Sequence, residues 1–185
     1  PKNAAEGQVS SVGIKGLTAT NLIKNGDFRN GLSGWEGVSI HQIKMDTSRY
    51  LTGFQSVRFE QEVGTLTDYR LRQDIKVPDG HKVYYRAYIF CESIENSVYV
   101  RFRMSDIGGY DNNVEIKKQI REDFLLNQWE CLSMTREVTL GSGGIRFELT
   151  VYSDEYGGLT LNADGFLAID LTATFGAGNE PTKEE

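Results

Sequence analysis

The chain has 185 residues, with 26 acidic against 20 basic side chains for a formal charge of -6, 20 glycines, two cysteines and two histidines. That length suits one domain with a sizeable core, and no stretch approaches the roughly 18 uninterrupted apolar residues a membrane-spanning helix needs, so no membrane insertion is expected. The acidic balance argues against a nucleic-acid backbone as partner, and so few cysteines and histidines support neither a disulfide scaffold nor a zinc site.

Residues 1–18 are small, polar and aperiodic, and they read as a linker or a loosely docked first segment. Residues 19–176 read as one domain and 177–185 as a tail or the start of a following helix, because Thr182 and Glu185 match a capping box. A module cut from a longer protein is therefore expected. Between these ends the recurring signal is alternation of period two between Gly, Asp and Asn clusters, the pattern of half-buried strands. In chain order, strands are expected at Trp35–Gln42, Gln55–Gln61, Tyr69–Val77, Lys82–Cys91, Ser97–Met104, Trp129–Val138, Ile145–Tyr152 and Leu159–Ile169. Turn signals separate them, among them Pro78-Asp79-Gly80, Gly108-Gly109 and Gly141-Ser142-Gly143-Gly144. The stretch Asn113–Leu126 fits a helix or a strand, with strand favoured. Strands at this spacing predict an all-β, two-sheet antiparallel β-sandwich.

Three strands alternate most clearly. Val83, Tyr85, Ala87, Ile89 and Cys91 take one face of the first, Val98, Val100, Phe102 and Met104 one face of the second, and Ile145, Phe147, Leu149 and Val151 one face of the third. These faces go to the core, and Cys91 is a core residue; pairing with Cys131 is left open. The opposite faces carry Tyr84, Arg86, Tyr88, Tyr99, Arg101, Arg103, Arg146, Glu148 and Tyr152. Tyrosine and arginine are ordinary on a solvated sheet face, yet their clustering suits a saccharide: rings stack on the C–H face of a pyranose, and Arg and Glu bond its hydroxyls. Arg58, Arg70, Arg72, Arg86, Arg101, Arg103 and Arg146 all fall outward, which predicts a locally basic sheet able to meet an anionic glycan. Loop clusters at Tyr110–Asn113 and Asp154–Tyr156 are the alternative site. No nucleophile elbow, metalloprotease, phosphate-loop or Cys-x-x-Cys motif is present, so no enzyme activity is expected. His41 and His81 lack metal-ligand spacing.

The segments Asn21-Leu22-Ile23-Lys24-Asn25-Gly26-Asp27-Phe28 and Gly31-Leu32-Ser33-Gly34-Trp35 resemble the opening of carbohydrate-binding modules of the family 4/9/22 type. The likeness continues through Thr52–Phe59, Leu71–Val77, Gly80–Ile89, Asn127–Trp129 and Ile145–Phe147, covering residues 20–170. It implies a jelly roll of galactose-binding-domain-like topology, with ligand on the concave sheet or on edge loops. It also implies a structural calcium ion, for which Asp27 and Asp164 are the matching carboxylates, although Arg29 stands where an acid is frequent. A second segment, Ile169 to Thr182, resembles one that recurs in tail and baseplate-associated proteins of phages and prophages of Gram-positive bacteria. The expectation is a non-catalytic module of a virion tail, or extracellular, that binds cell-wall or surface polysaccharide and contacts other tail or baseplate proteins. A purely structural tail module and an accessory module of a secreted glycoside hydrolase are the alternatives.

Overall fold

Alternate residues of a strand face opposite sides of its sheet, so strands with one apolar face need a second sheet to cover them. The computed structural model, which describes residues 18–64, 67–95, 98–107, 113–119, 121–153 and 157–181, meets that need with two antiparallel sheets. Among the described residues the strands are β1 (Lys44–Asp46), β2 (Ser56–Gln61), β3 (Thr67–Ile75), β4 (Lys82–Ile94), β5 (Val98–Asp106), β6 (Val114–Lys118), β7 (Trp129–Glu137), β8 (Ile145–Ser153) and β9 (Leu159–Asp170). A short helix α1 (Leu171–Phe175) follows. The five-stranded sheet has the order β1-β2-β9-β4-β7 and the four-stranded sheet β3-β8-β5-β6. No helix among the described residues is long and apolar enough to cross a membrane.

The three clearest alternations land as expected, with every inward residue of β4, β5 and β8 named above buried. The sheets meet where the Tyr85 ring of β4 stacks on Phe102 of β5, centroids 4.2 Å apart, and lies 4.7 Å from Phe147 of β8. Burying each such ring stabilises the fold by about 1.5–3 kcal/mol. At one end Phe28, Trp35 and Phe166 form an aromatic cluster with centroids 4.9–5.5 Å apart. There the chain near its beginning is tied to its last strand, Leu22 N donating to Ala168 O.

One expected strand is absent. Trp35–Gln42 instead makes a single bridge, Glu36 to Arg72, beside the edge of β3, then a 3-10 turn at Ile40–Gln42. Two backbone facts break the strand there: Ser39 adopts a left-handed φ of 51°, and a Cβ on Gly37 would lie 1.7 Å from Arg70 O. The pairing moves on to the short β1. Asn113–Leu126 divides into β6 and a 3-10 turn at Arg121–Asp123. Helix α1 lay inside what reads as domain body; Asp170 caps it by accepting from Ala173 N at 2.8 Å. Residues 1–17, Gly108-Gly109, Tyr110–Asn112, Asp154–Tyr156 and Thr182–Glu185 lie outside the described residues.

Candidate functional site

The nine outward residues singled out from the sequence do not form one surface. Strands β5 and β8 pair with each other, so Tyr99, Arg101, Arg103, Arg146, Glu148 and Tyr152 share the outward face of the four-stranded sheet. Tyr84, Arg86 and Tyr88 lie on β4, between β9 and β7, and face outward from the other sheet. Alternation separates inside from outside within a strand but carries no information about which sheet the strand joins.

On the four-stranded face, register sets Tyr99 opposite Tyr152, Arg101 opposite Thr150 and Arg103 opposite Glu148. The tyrosine rings stack, centroids 5.1 Å apart and planes 27° from parallel. The Arg101 guanidinium lies 5.8 Å and the Lys117 ammonium 5.2 Å from the Tyr99 ring centroid. Beside the rings runs a sunken polar row: Arg103, Ser105, Glu148 and Thr150 are 0–3% exposed although they point away from the core. Arg103 Nη2 donates to Glu148 Oε1 at 2.5 Å, and Thr150 Oγ1 donates to the same oxygen at 3.0 Å. Glu148 Oε2 and Ser105 Oγ are buried with no hydrogen-bond partner among the described residues. A polar atom buried without a partner costs about 1–3 kcal/mol.

The expected basic sheet is not there, because a carboxylate stands beside nearly every outward arginine. Arg146 is gripped by both oxygens of Asp74 at 2.7 Å, and Arg70 Nη2 lies 2.6 Å from Asp68. Arg58 lies 2.8 Å from Glu60, Arg101 3.8 Å from Glu115, and Arg72 3.9 Å from Glu36. Counting outward arginines overlooked their acidic partners, which sit on the same or the neighbouring strand.

The calcium expectation meets a donor set that does not suit the ion. Asp164 is fully buried, and its two oxygens already accept from Leu51 N, Thr52 N, Thr52 Oγ1 and Gly165 N at 2.6–2.9 Å. Asp27 is held by Arg29 at 2.9 Å. Calcium wants six to eight free hard oxygens, and among the described residues no group of three or more His, Cys, Asp or Glu side chains is placed to hold a metal. Asp27 and Asp164 here act as turn and loop anchors.

The sequence reading missed a second polar cluster. Asp46 accepts from Ser48 N and Ser48 Oγ at 2.6–2.7 Å and from Asn162 Nδ2 at 3.0 Å, with Arg58 Nη1 3.4 Å away. Burial alone would favour the neutral acid, but these bonds and the Arg58 charge prevail and hold Asp46 at about 2. Nothing local betrays it, since Asn162 is 116 residues distant. Both cysteines are free: Cys91 is buried in the core, its thiol pushed up to about 12 by burial, and Cys131 is exposed on β7. His81 Nδ1 lies 2.8 Å from Asp170 Oδ2.

No protein-family model matches the chain, and no curated protein matches it in sequence. Solved structures do match in fold. A family 61 carbohydrate-binding module in complex with β-1,4-galactotriose is 20% identical with a TM-score of 0.58, over 80% of this chain and 97% of that one. A family 16 carbohydrate-binding module is 16% identical with a TM-score of 0.56, over 80% and 99%. The enzymatically active domain of tailspike protein 4 from bacteriophage CBA120 is 13% identical with a TM-score of 0.54, over 80% of this chain but 21% of that one. At these identities the likeness is one of fold, and the chain is an all-β, two-sheet antiparallel jelly-roll β-sandwich of the kind those modules have.

Proposed function

We propose that the chain is a non-catalytic module that docks saccharide reversibly on the outward face of the four-stranded sheet. The observation that carries this reading is the stacked Tyr99–Tyr152 platform on that face, flanked by the Arg101 guanidinium and the Lys117 ammonium. A pyranose lying with its C–H face on the rings could accept bonds at its hydroxyls from these two cations, which an apolar ligand would leave unused. Because the arginines of this face are matched by carboxylates, the ligand is an uncharged saccharide rather than an anionic glycan. The fold shared with structures named as carbohydrate-binding modules supports the same class. The setting we propose is a phage or prophage tail or the extracellular space, facing host cell-wall polysaccharide. The segment Ile169 to Thr182 and the fold shared with a phage tailspike domain support it. Weak single-site affinity would be multiplied by many copies on one particle.

The test is a titration with neutral cell-wall oligosaccharides and with β-1,4-galacto-oligosaccharides. Tyr99→Ala and Arg101→Ala are expected to weaken binding about tenfold, roughly 1.4 kcal/mol. Unchanged binding in both variants rejects this face. Sustained release of products from labelled polysaccharide would reject the non-catalytic assignment.

A further inference from the structure

Arg86 differs from every other arginine on a strand. Arg58, Arg70, Arg72, Arg101, Arg103, Arg136 and Arg146 each have a carboxylate oxygen within 3.9 Å. Arg86 has no acidic partner among the described residues, and its buried Nε has no hydrogen-bond acceptor. It points outward from β4, in register with Ser133 of β7 and Leu167 of β9, its guanidinium 5.3 Å from the Tyr88 ring centroid. The Tyr88 ring is seated over Gly165, which with Phe166 stands opposite Ala87 where the register between β4 and β9 shifts. A Cβ on Gly165 would lie 3.1 Å from Tyr88 Cδ2, and φ is +64°.

Arg86 lines a hollow of about 380 Å³ bounded by Asn21, Asn25, Asp27, Thr52 and Leu167. The other polar groups of the hollow are committed. Asn21 bonds Phe166 O, Ile23 N and Ala168 N, and Asn25 bonds Gly31 O, Ser33 O and Asn30 N. Thr52 Oγ1 donates to Asp164, and Asp27 is neutralised by Arg29. What remains is one uncompensated guanidinium, whose planar fork matches the two oxygens of a carboxylate. The Tyr88 ring beside this lone cation suits an acidic pyranose, its ring on the aromatic face and its carboxylate on the arginine.

We infer that this hollow is a second ligand site, on the opposite sheet from the saccharide face, which binds the carboxylate of an acidic sugar residue through Arg86. It lies on the other side of the sandwich and stands whether or not the four-stranded face binds sugar. The test titrates the full chain with glucuronic and galacturonic acid, with glucose and galactose as uncharged counterparts, and with acetate as the anion alone, following amide chemical shifts at Arg86, Tyr88 and Thr52. The uronic acids are expected to bind about tenfold more tightly than the neutral sugars and than acetate. Arg86→Gln is expected to abolish the preference over neutral sugars, and Arg86→Lys to keep part of it, because lysine retains the charge without the fork. Shifts confined to the opposite sheet, uronic acids no tighter than neutral sugars, acetate as tight as uronic acids, or a preference that survives in Arg86→Gln would each overturn the inference.

Discussion

Replacing Arg103 by methionine would remove the cation facing Glu148 and leave a fully buried carboxylate with only the Thr150 hydroxyl as a donor. Breaking a buried ion pair in this way typically costs about 3–5 kcal/mol. The double variant Arg103→Met with Glu148→Leu removes the stranded charge and should return to within about 1 kcal/mol of the parent, as buried pairs replaced by apolar side chains often do. Urea unfolding followed by the fluorescence of Trp35 and Trp129, compared at constant slope, measures each stability. A loss below about 1 kcal/mol in Arg103→Met, or a double variant as unstable as the single, would refute the claim that this pair is stabilised only in each other's presence.

Two further outcomes are expected. Asp46 falls from 3.8 when free to about 2 in the fold, so it contributes about 2 kcal/mol that is fully present above pH 4 and lost as the pH drops from 4 towards 2. Unfolding midpoints across that window should flatten in Asp46→Asn, and an unaltered slope would exclude the residue as the source. Asp164→Ala should cost about 3 kcal/mol or more by stranding the amides of Leu51, Thr52 and Gly165, while the melting temperature of the parent should not respond to calcium or chelator. A calcium-dependent rise in the parent would show that the ion displaces these bonds.

The sandwich was legible because Val98, Val100, Phe102 and Met104, and their counterparts in β4 and β8, alternate without interruption, and burial of one face follows directly from that period. Trp35–Gln42 misled because its apolar residues mimic the same period, while what decides the segment is the backbone at Gly37 and Ser39, pressed against β3 by tertiary contact. The candidate site was half legible. Alternation placed Tyr99, Arg103 and Glu148 on outward faces, but membership of a sheet depends on strand order, and β4 has β7 and β9 as neighbours rather than β5 or β8. Charge was the least legible quantity, since Asp74 neutralises Arg146 across 72 residues of sequence.

The place of β9 bears on how the molecule is made. Among the described residues it is the last strand in sequence, and it is the middle of the five-stranded sheet, joining β2 on one side to β4 on the other. Until it is synthesised, β1 and β2 have no attachment to β4 and β7, and the segment at Leu22 has no Ala168 to pair with. Assembly of the five-stranded sheet must therefore wait for β9 to leave the ribosome, and closing such distant pairings puts folding in the slow, roughly millisecond-to-second regime of non-local β topologies.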